Sequence, residues 1–166
     1  MFAKQFPFSS GPLKAPIMFI GEAPGTTESL TKIPFTGKSS KTLDSLLVSL
    51  NESRDTVHLT NLIKEYLPKN RNPRVSEVNL WKPILEEQIR EVDPKLLVCL
   101  GKISSEQILE KKIKKFADFE GKCYKVIIAG KERIVLPIYH PAFLNRNKKV
   151  FLENTIKHLE MIKHSI

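Results

Sequence analysis

Four places in this chain carry side chains able to do chemistry. Gly21-Glu22-Ala23-Pro24-Gly25 sets a carboxylate on an abrupt turn, where the glycines let backbone approach a ligand closely and Pro24 fixes the bend. A carboxylate there can hold a water molecule, or it can be a solvated acid on a tight loop. Pro34-Phe35-Thr36-Gly37 places an aromatic ring in a loop just before a helix, as a platform for a planar ligand or a lid over the core. Asn61 interrupts an apolar run; its amide has donors and an acceptor, so it can read a base edge or cap a strand end. His140, ahead of Pro141-Ala142-Phe143-Leu144, can donate to a developing anion or hold a structural hydrogen bond.

These residues act together only if the fold gathers them. Pro16–Gly21, Val57–Ile63 and Lys95–Gly101 are short, nearly apolar runs bounded by turn residues, as buried parallel strands should be. Between them, Ser39–Leu50 and Ser76–Glu91 space their leucines and isoleucines helically, with Pro83 expected to kink or reset the second helix. Ser104–Lys112 reads as a further helix, Tyr124–Ala129 and Arg133–Tyr139 as strands around a Gly130-Lys131 turn, and Lys148–Lys163 as a closing helix. Strands alternating with helices imply a parallel sheet covered on both faces, with ligands bound beyond the carboxyl ends of the strands. The loops after Ile20, Leu59 and Ile138 are therefore the places to search. Pro68–Pro73 reads as one long polar loop.

Composition narrows the classes. The 166 residues, 41% hydrophobic, suit a single domain over 1–166. Lys and Arg number 27 against 18 Asp and Glu, a formal net charge of +9. The excess is lopsided: 13 basic against 11 acidic residues in 1–100, but 14 against 7 in 101–166. Such a surplus favours polyanionic partners, because neutralising phosphates releases counterions. Two cysteines, Cys99 and Cys123, cannot build a disulfide framework and lack zinc-ligand spacing, which points to the reducing cytoplasm and to no metal. No apolar run approaches the about 20 residues of a membrane span, and Met1–Lys14 lacks the apolar region of a signal peptide, so no membrane role is expected. Neither GxxxxGK[ST] nor GxGxxG occurs, which counts against a phosphate-cradling nucleotide binder.

Taken in order, GEAPG, PF-x-G, TN-x-x-K and HPA resemble the uracil-DNA glycosylase superfamily, specifically its family 4, iron–sulfur branch. The resemblance runs from Ile17 to about Ile162. Asn61-Leu62-Ile63-Lys64 and Asn70-Arg71-Asn72-Pro73 look like that family's N-V-V-K and N-R-x-P. It implies an α/β fold in three layers, α/β/α, around a central four-stranded parallel sheet, and an enzyme: a monofunctional uracil-DNA glycosylase, acting as a monomer in base excision repair. The flipped uracil would meet Ala23, Glu28, Phe35 and Asn61: Phe35 stacking on the base, Asn61 reading its Watson–Crick edge, Glu28 crowding C5 against thymine. Glu22 would hold the attacking water, His140 would hydrogen-bond O2 of the leaving base, and Asn70 would be an accessory catalytic amide. Lys64, Arg71, Phe143, Leu144, Asn145, Arg146 and Lys148 would meet DNA, with residues 143–146 in the place of a loop that probes the duplex.

The branch binds a 4Fe–4S cluster through four cysteines. Here no cysteine lies near the N-terminus, and Glu65 and Trp81 occupy the other two ligand positions, so the expectation is no cluster and no cofactor. Ser29 and Lys32 stand where the family carries Asp and Gly. Two other readings fit the same resemblance: a glycosylase for another deaminated base such as hypoxanthine or xanthine, and a DNA-binding homologue without turnover.

Overall fold

The computed structural model of the chain describes residues 9–147 and 149–166, without the side chain of residue 147. Strands β1 (Ile17–Gly21), β2 (His58–Asn61), β3 (Leu96–Leu100), β4 (Tyr124–Ile128) and β5 (Lys131–Ile138) form one sheet in the order β2-β1-β3-β5-β4. β2, β1, β3 and β5 are parallel, the four strands expected of the resemblance, and β4 adds a fifth, antiparallel, at the edge of β5. The β4–β5 hairpin turns at Ala129-Gly130, one residue earlier than the sequence pattern placed it. Both residues have positive φ, +52° and +76°, as a tight two-residue hairpin requires.

Helices cover both faces. On one, Leu43, Leu46 and Leu47 of α2 (Ser40–Ser49), Leu144 of α5 (Pro141–Asn147) and Leu159 of α6 (Lys149–Lys163) pack on Phe19, Val98 and Leu136. On the other, Leu85 and Ile89 of α3 (Val75–Val92) and Ile108 of α4 (Lys102–Leu109) pack on Met18, Leu97 and Val135. The central strands are buried on both faces, which is why they read as continuous apolar runs. Lys163 of α6 donates to the Leu50 carbonyl and pairs with Glu52 at 2.9 Å, tying the last helix to the end of α2.

Three local expectations are corrected. α3 runs unbroken through Pro83, because that residue and Asn79, whose carbonyl loses its intrahelical donor, both face solvent. Thr26–Thr31 forms a short helix, α1, where a loop was expected. The segment after His140 is the helix α5 rather than a loop, opened by Pro141 at its first position. Among the described residues no helix is long and apolar enough to cross a membrane.

Candidate active site

The register of the two left-hand strands starts the site. β1 and β2 pair so that Gly21 faces Asn61 at their carboxyl ends. A β-carbon on Gly21 would lie 2.4 Å from Asn61 Oδ1 and 2.8 Å from Phe35 Cζ. Only a residue without a side chain therefore lets the amide and the ring close over the strand end together. Phe35 reaches this position through a left-handed backbone, φ +54°, and its ring is buried at the edge of the core. His140 lies two residues beyond the end of β5, its ring 6.4 Å from that of Phe35 and inclined by 44°.

Two of the titratable groups that face this space, Glu22 and His140, are shifted in opposite directions by one cause. Burial raises the Glu22 carboxyl above its ordinary 4.5. Burial lowers the His140 imidazole from 6.5 to about 4, against a weaker upward pull from Glu28. At neutral pH the ring is uncharged. Its Nδ1 accepts the Ala142 N–H at 3.0 Å, so its single proton sits on Nε2. Glu28 is itself buried: its Oε1 accepts the Gly37 N–H at 3.2 Å, and a β-carbon on Gly25 would come within 2.8 Å of Oε2. Gly25 and Gly37 thus make room for a carboxylate that α1 carries inward.

One cavity of about 460 Å³ gathers ten of the fourteen expected site residues: Glu22, Ala23, Glu28, Phe35, Asn61, Asn70, Arg71, His140, Asn145 and Arg146. Asn70 arrives at the end of a 3₁₀ turn, Pro68–Asn70, in which it and Lys69 both have positive φ. Arg71 is bound on both guanidinium arms by Glu77, at 2.6 and 3.0 Å, and that pairing holds the Glu77 carboxyl down to about 2. The motif reading passed over Lys38 and Ser39, which line the mouth ahead of α2. Their signal was position alone, between Gly37 and the start of a helix. A second cavity, of about 450 Å³, lies between α3, α4 and β4 and holds none of these residues.

Two expected DNA contacts, Lys64 and Leu144, are buried, Phe143 is half-buried, and a fourth lies outside the description. Lys64 is 1% exposed; its Nζ donates to the Asn61 carbonyl, to Thr60 Oγ1 at 2.6 Å and to Gln88 Oε1 at 2.7 Å. Its charge faces three internal oxygens and meets no phosphate. Leu144 is 2% exposed in the core, and Phe143 stacks on Tyr139 at 4.5 Å between centroids. The helical period of α5 turns Leu144 into the core, leaves Phe143 half-buried against it and puts Asn145 and Arg146 at the surface. Lys148 is outside the described residues.

The donor set does not suit an iron–sulfur cluster. Trp81 Nε1 donates to Glu65 Oε1 at 3.3 Å, so the residues at two ligand positions satisfy each other, and an indole has no lone pair for iron. Cys99 is sealed inside β3 with its thiol pushed up to about 12, while Cys123 lies exposed before β4. Among the described residues no group of three or more His, Cys, Asp or Glu is arranged to hold a metal.

A three-layer α/β protein with an acid, an uncharged imidazole, an amide and a ring around one mouth can hold a planar polar heterocycle. The uracil DNA glycosylase superfamily model matches residues 8–161, and the chain belongs to that superfamily. It is 39% identical over 150 residues to the type-4 uracil-DNA glycosylase of Sulfurisphaera tokodaii, covering 87% of this chain and 68% of that protein. It is 38% identical over 145 residues to that of Saccharolobus solfataricus, covering 85% and 67%. It is 30% identical over 158 residues to that of Thermotoga maritima, covering 92% and 81%.

Two outcomes follow from this geometry. Gly21→Ala forces the Asn61 amide or the Phe35 ring aside, and overpacking of this kind costs about 1–3 kcal/mol, measurable by urea unfolding. Burial lowers Lys64 from 10.5 to about 7, so across that interval the unfolded chain binds the extra proton and stability rises with pH. Urea midpoints measured from pH 7 to pH 10 should show this rise in the native protein and a flatter profile in Lys64→Met.

Proposed function

We propose that this protein is a uracil-DNA glycosylase that takes uracil out of the DNA stack and hydrolyses its C1′–N glycosidic bond, leaving an abasic site. The observation that carries the reading is the single cavity shared by Glu22, Phe35, Asn61 and His140. The glycosidic bond is out of reach in a stacked base, so the nucleotide must be extruded, at a cost of a few kcal/mol. A base–aromatic stack returns roughly 1–3 kcal/mol, and Phe35 supplies the ring. Asn145 and Arg146, exposed at the cavity wall, would hold flanking phosphates.

Cleavage leaves positive charge on the sugar and negative charge on the departing pyrimidine. His140, neutral with its proton on Nε2, donates to O2 where the negative charge grows. Glu22, in its carboxylate form, orients water toward C1′ and favours the cationic sugar. Asn61 pairs with O4 and N3–H of uracil; cytosine reverses both groups and would leave the amide mismatched. Glu28 stands against C5, where the methyl group of thymine would need space, and Asn70 adds a second amide at the mouth. No cluster takes part: the Glu65–Trp81 contact and the burial of Cys99 support a loop braced without iron.

Oligonucleotides carrying uracil, hypoxanthine or xanthine, single-stranded and duplex, followed by alkaline cleavage, test the reading. Abasic product is expected from uracil. Product from another lesion instead would reassign the base, and DNA binding without product would point to a protein that has lost turnover. His140→Leu should slow single-turnover release by about 10²–10³, as for removal of an oxyanion donor. Release should also fall as pH drops through the raised Glu22 value, above 4.5, because the protonated acid neither orients water nor favours the cation. His140 stays neutral down to about 4 and does not set that limb. Purified protein is expected to contain no stoichiometric iron and to melt at one temperature with or without chelator.

A further inference from the structure

Phe35 holds its place by a backbone conformation that a bulky residue rarely adopts, and something outside the pocket must keep it there. Within the loop, Thr31 Oγ1 and Thr36 Oγ1 lie 2.7 Å apart, and Thr36 Oγ1 donates to the Ile33 carbonyl at 3.1 Å. These contacts tie the loop to itself and to the end of α1, and leave its distance from the sheet unset. Arg54, between α2 and β2, sets it. Its Nη2 donates to the Phe35 carbonyl at 2.6 Å and its Nη1 to the Pro34 carbonyl at 3.1 Å. Its Nε donates to Asp44 Oδ1 of α2 at 2.7 Å. The planar fork is thus filled on three of its nitrogens, two of them by consecutive carbonyls, and Asp44 fixes its orientation. Side-chain exposures of 28% for Arg54 and 51% for Asp44 put the clamp at the protein's surface, behind the ring.

We infer that Arg54 is a positioning residue for base recognition, holding Phe35 in the left-handed conformation that brings its ring over Gly21. This rests on the uracil-releasing reading for its kinetic consequence, though not for its structural one. Arg54 touches no base and sits outside the cavity lining, so it acts through Phe35. Lysine is no substitute, because a single ammonium cannot span two carbonyls and a carboxylate in one plane.

Two measurements test the clamp. A 4-fluorophenylalanine placed at position 35 reports the ring's surroundings by ¹⁹F resonance whether or not the protein turns over. Arg54→Met should shift and broaden that line, and Arg54→Lys should not restore it. With a uracil oligonucleotide, Arg54→Met should lower kcat/KM by about 10²-fold, the scale of an ångström-sized misplacement, while affinity for undamaged DNA holds. In Phe35→Ala the Arg54→Met change should add little further loss, since the clamp then holds nothing. An unchanged ¹⁹F line, or losses that multiply in the double variant, would overturn the assignment. Absence of uracil release from the unaltered protein would instead count against the proposed reaction and leave the resonance test standing. Should Arg54→Met fail to fold, Asp44→Asn, which loosens the same guanidinium, is read in its place.

Discussion

The site depends on one absent atom group. At the carboxyl end of β1 the register sets Gly21 opposite Asn61, and any β-carbon there would occupy space that the amide and the Phe35 ring share. Strand pairing therefore brings the amide in for nothing beyond ladder hydrogen bonds. The loop after α1 is then free to drop its ring onto the same spot. The remaining groups arrive from the ends of other segments, Glu22 one residue further along β1 and His140 at the exit of β5. This is the general logic of an open α/β sheet, in which adjacent strand ends converge on a crevice while the chain between them is free to vary.

Burial, more than pairing of charges, sets the chemistry of that crevice. It makes the acid weaker and the imidazole less basic at once, drawing the carboxyl up toward neutral pH while carrying the imidazole down away from it. Positive charge is handled differently. Lys64 is turned inside against three oxygens, and Arg71 is bound on both arms by Glu77. Neither is a loose cation at the mouth. Lys38 and Arg146 remain there as exposed basic side chains, so attraction for a polyanion comes from the rim.

The sheet and most of the pocket were legible in the sequence because they follow from local rules. Runs such as Ile17–Gly21 and Leu96–Leu100 are apolar on both faces, and Gly21, Phe35, Asn61 and His140 sit at ends and turns that the patterns mark. What could not be read was direction. Lys64 looks like a surface cation one turn past a strand; only the Thr60 and Gln88 oxygens reveal that it faces inward, and Gln88 lies in a distant helix. Phe143 and Leu144 carry no sign of which way they point until Pro141 is recognised as a helix start. α1 was missed because six residues opened by a glycine offer too short a period to register. Pro83 misled in the opposite sense, since a proline on a solvated face costs the helix one hydrogen bond without ending it.

The tie from Lys163 to the Leu50 carbonyl and Glu52 has a consequence for how the molecule is born. During synthesis the ribosome delivers the acid, ring and amide early and the imidazole late. The face that backs them stays open to water until residue 163 has emerged and α6 has docked. Until that tie forms, the leucines of α2 lack the cover that Leu159 and its neighbours on α6 give them.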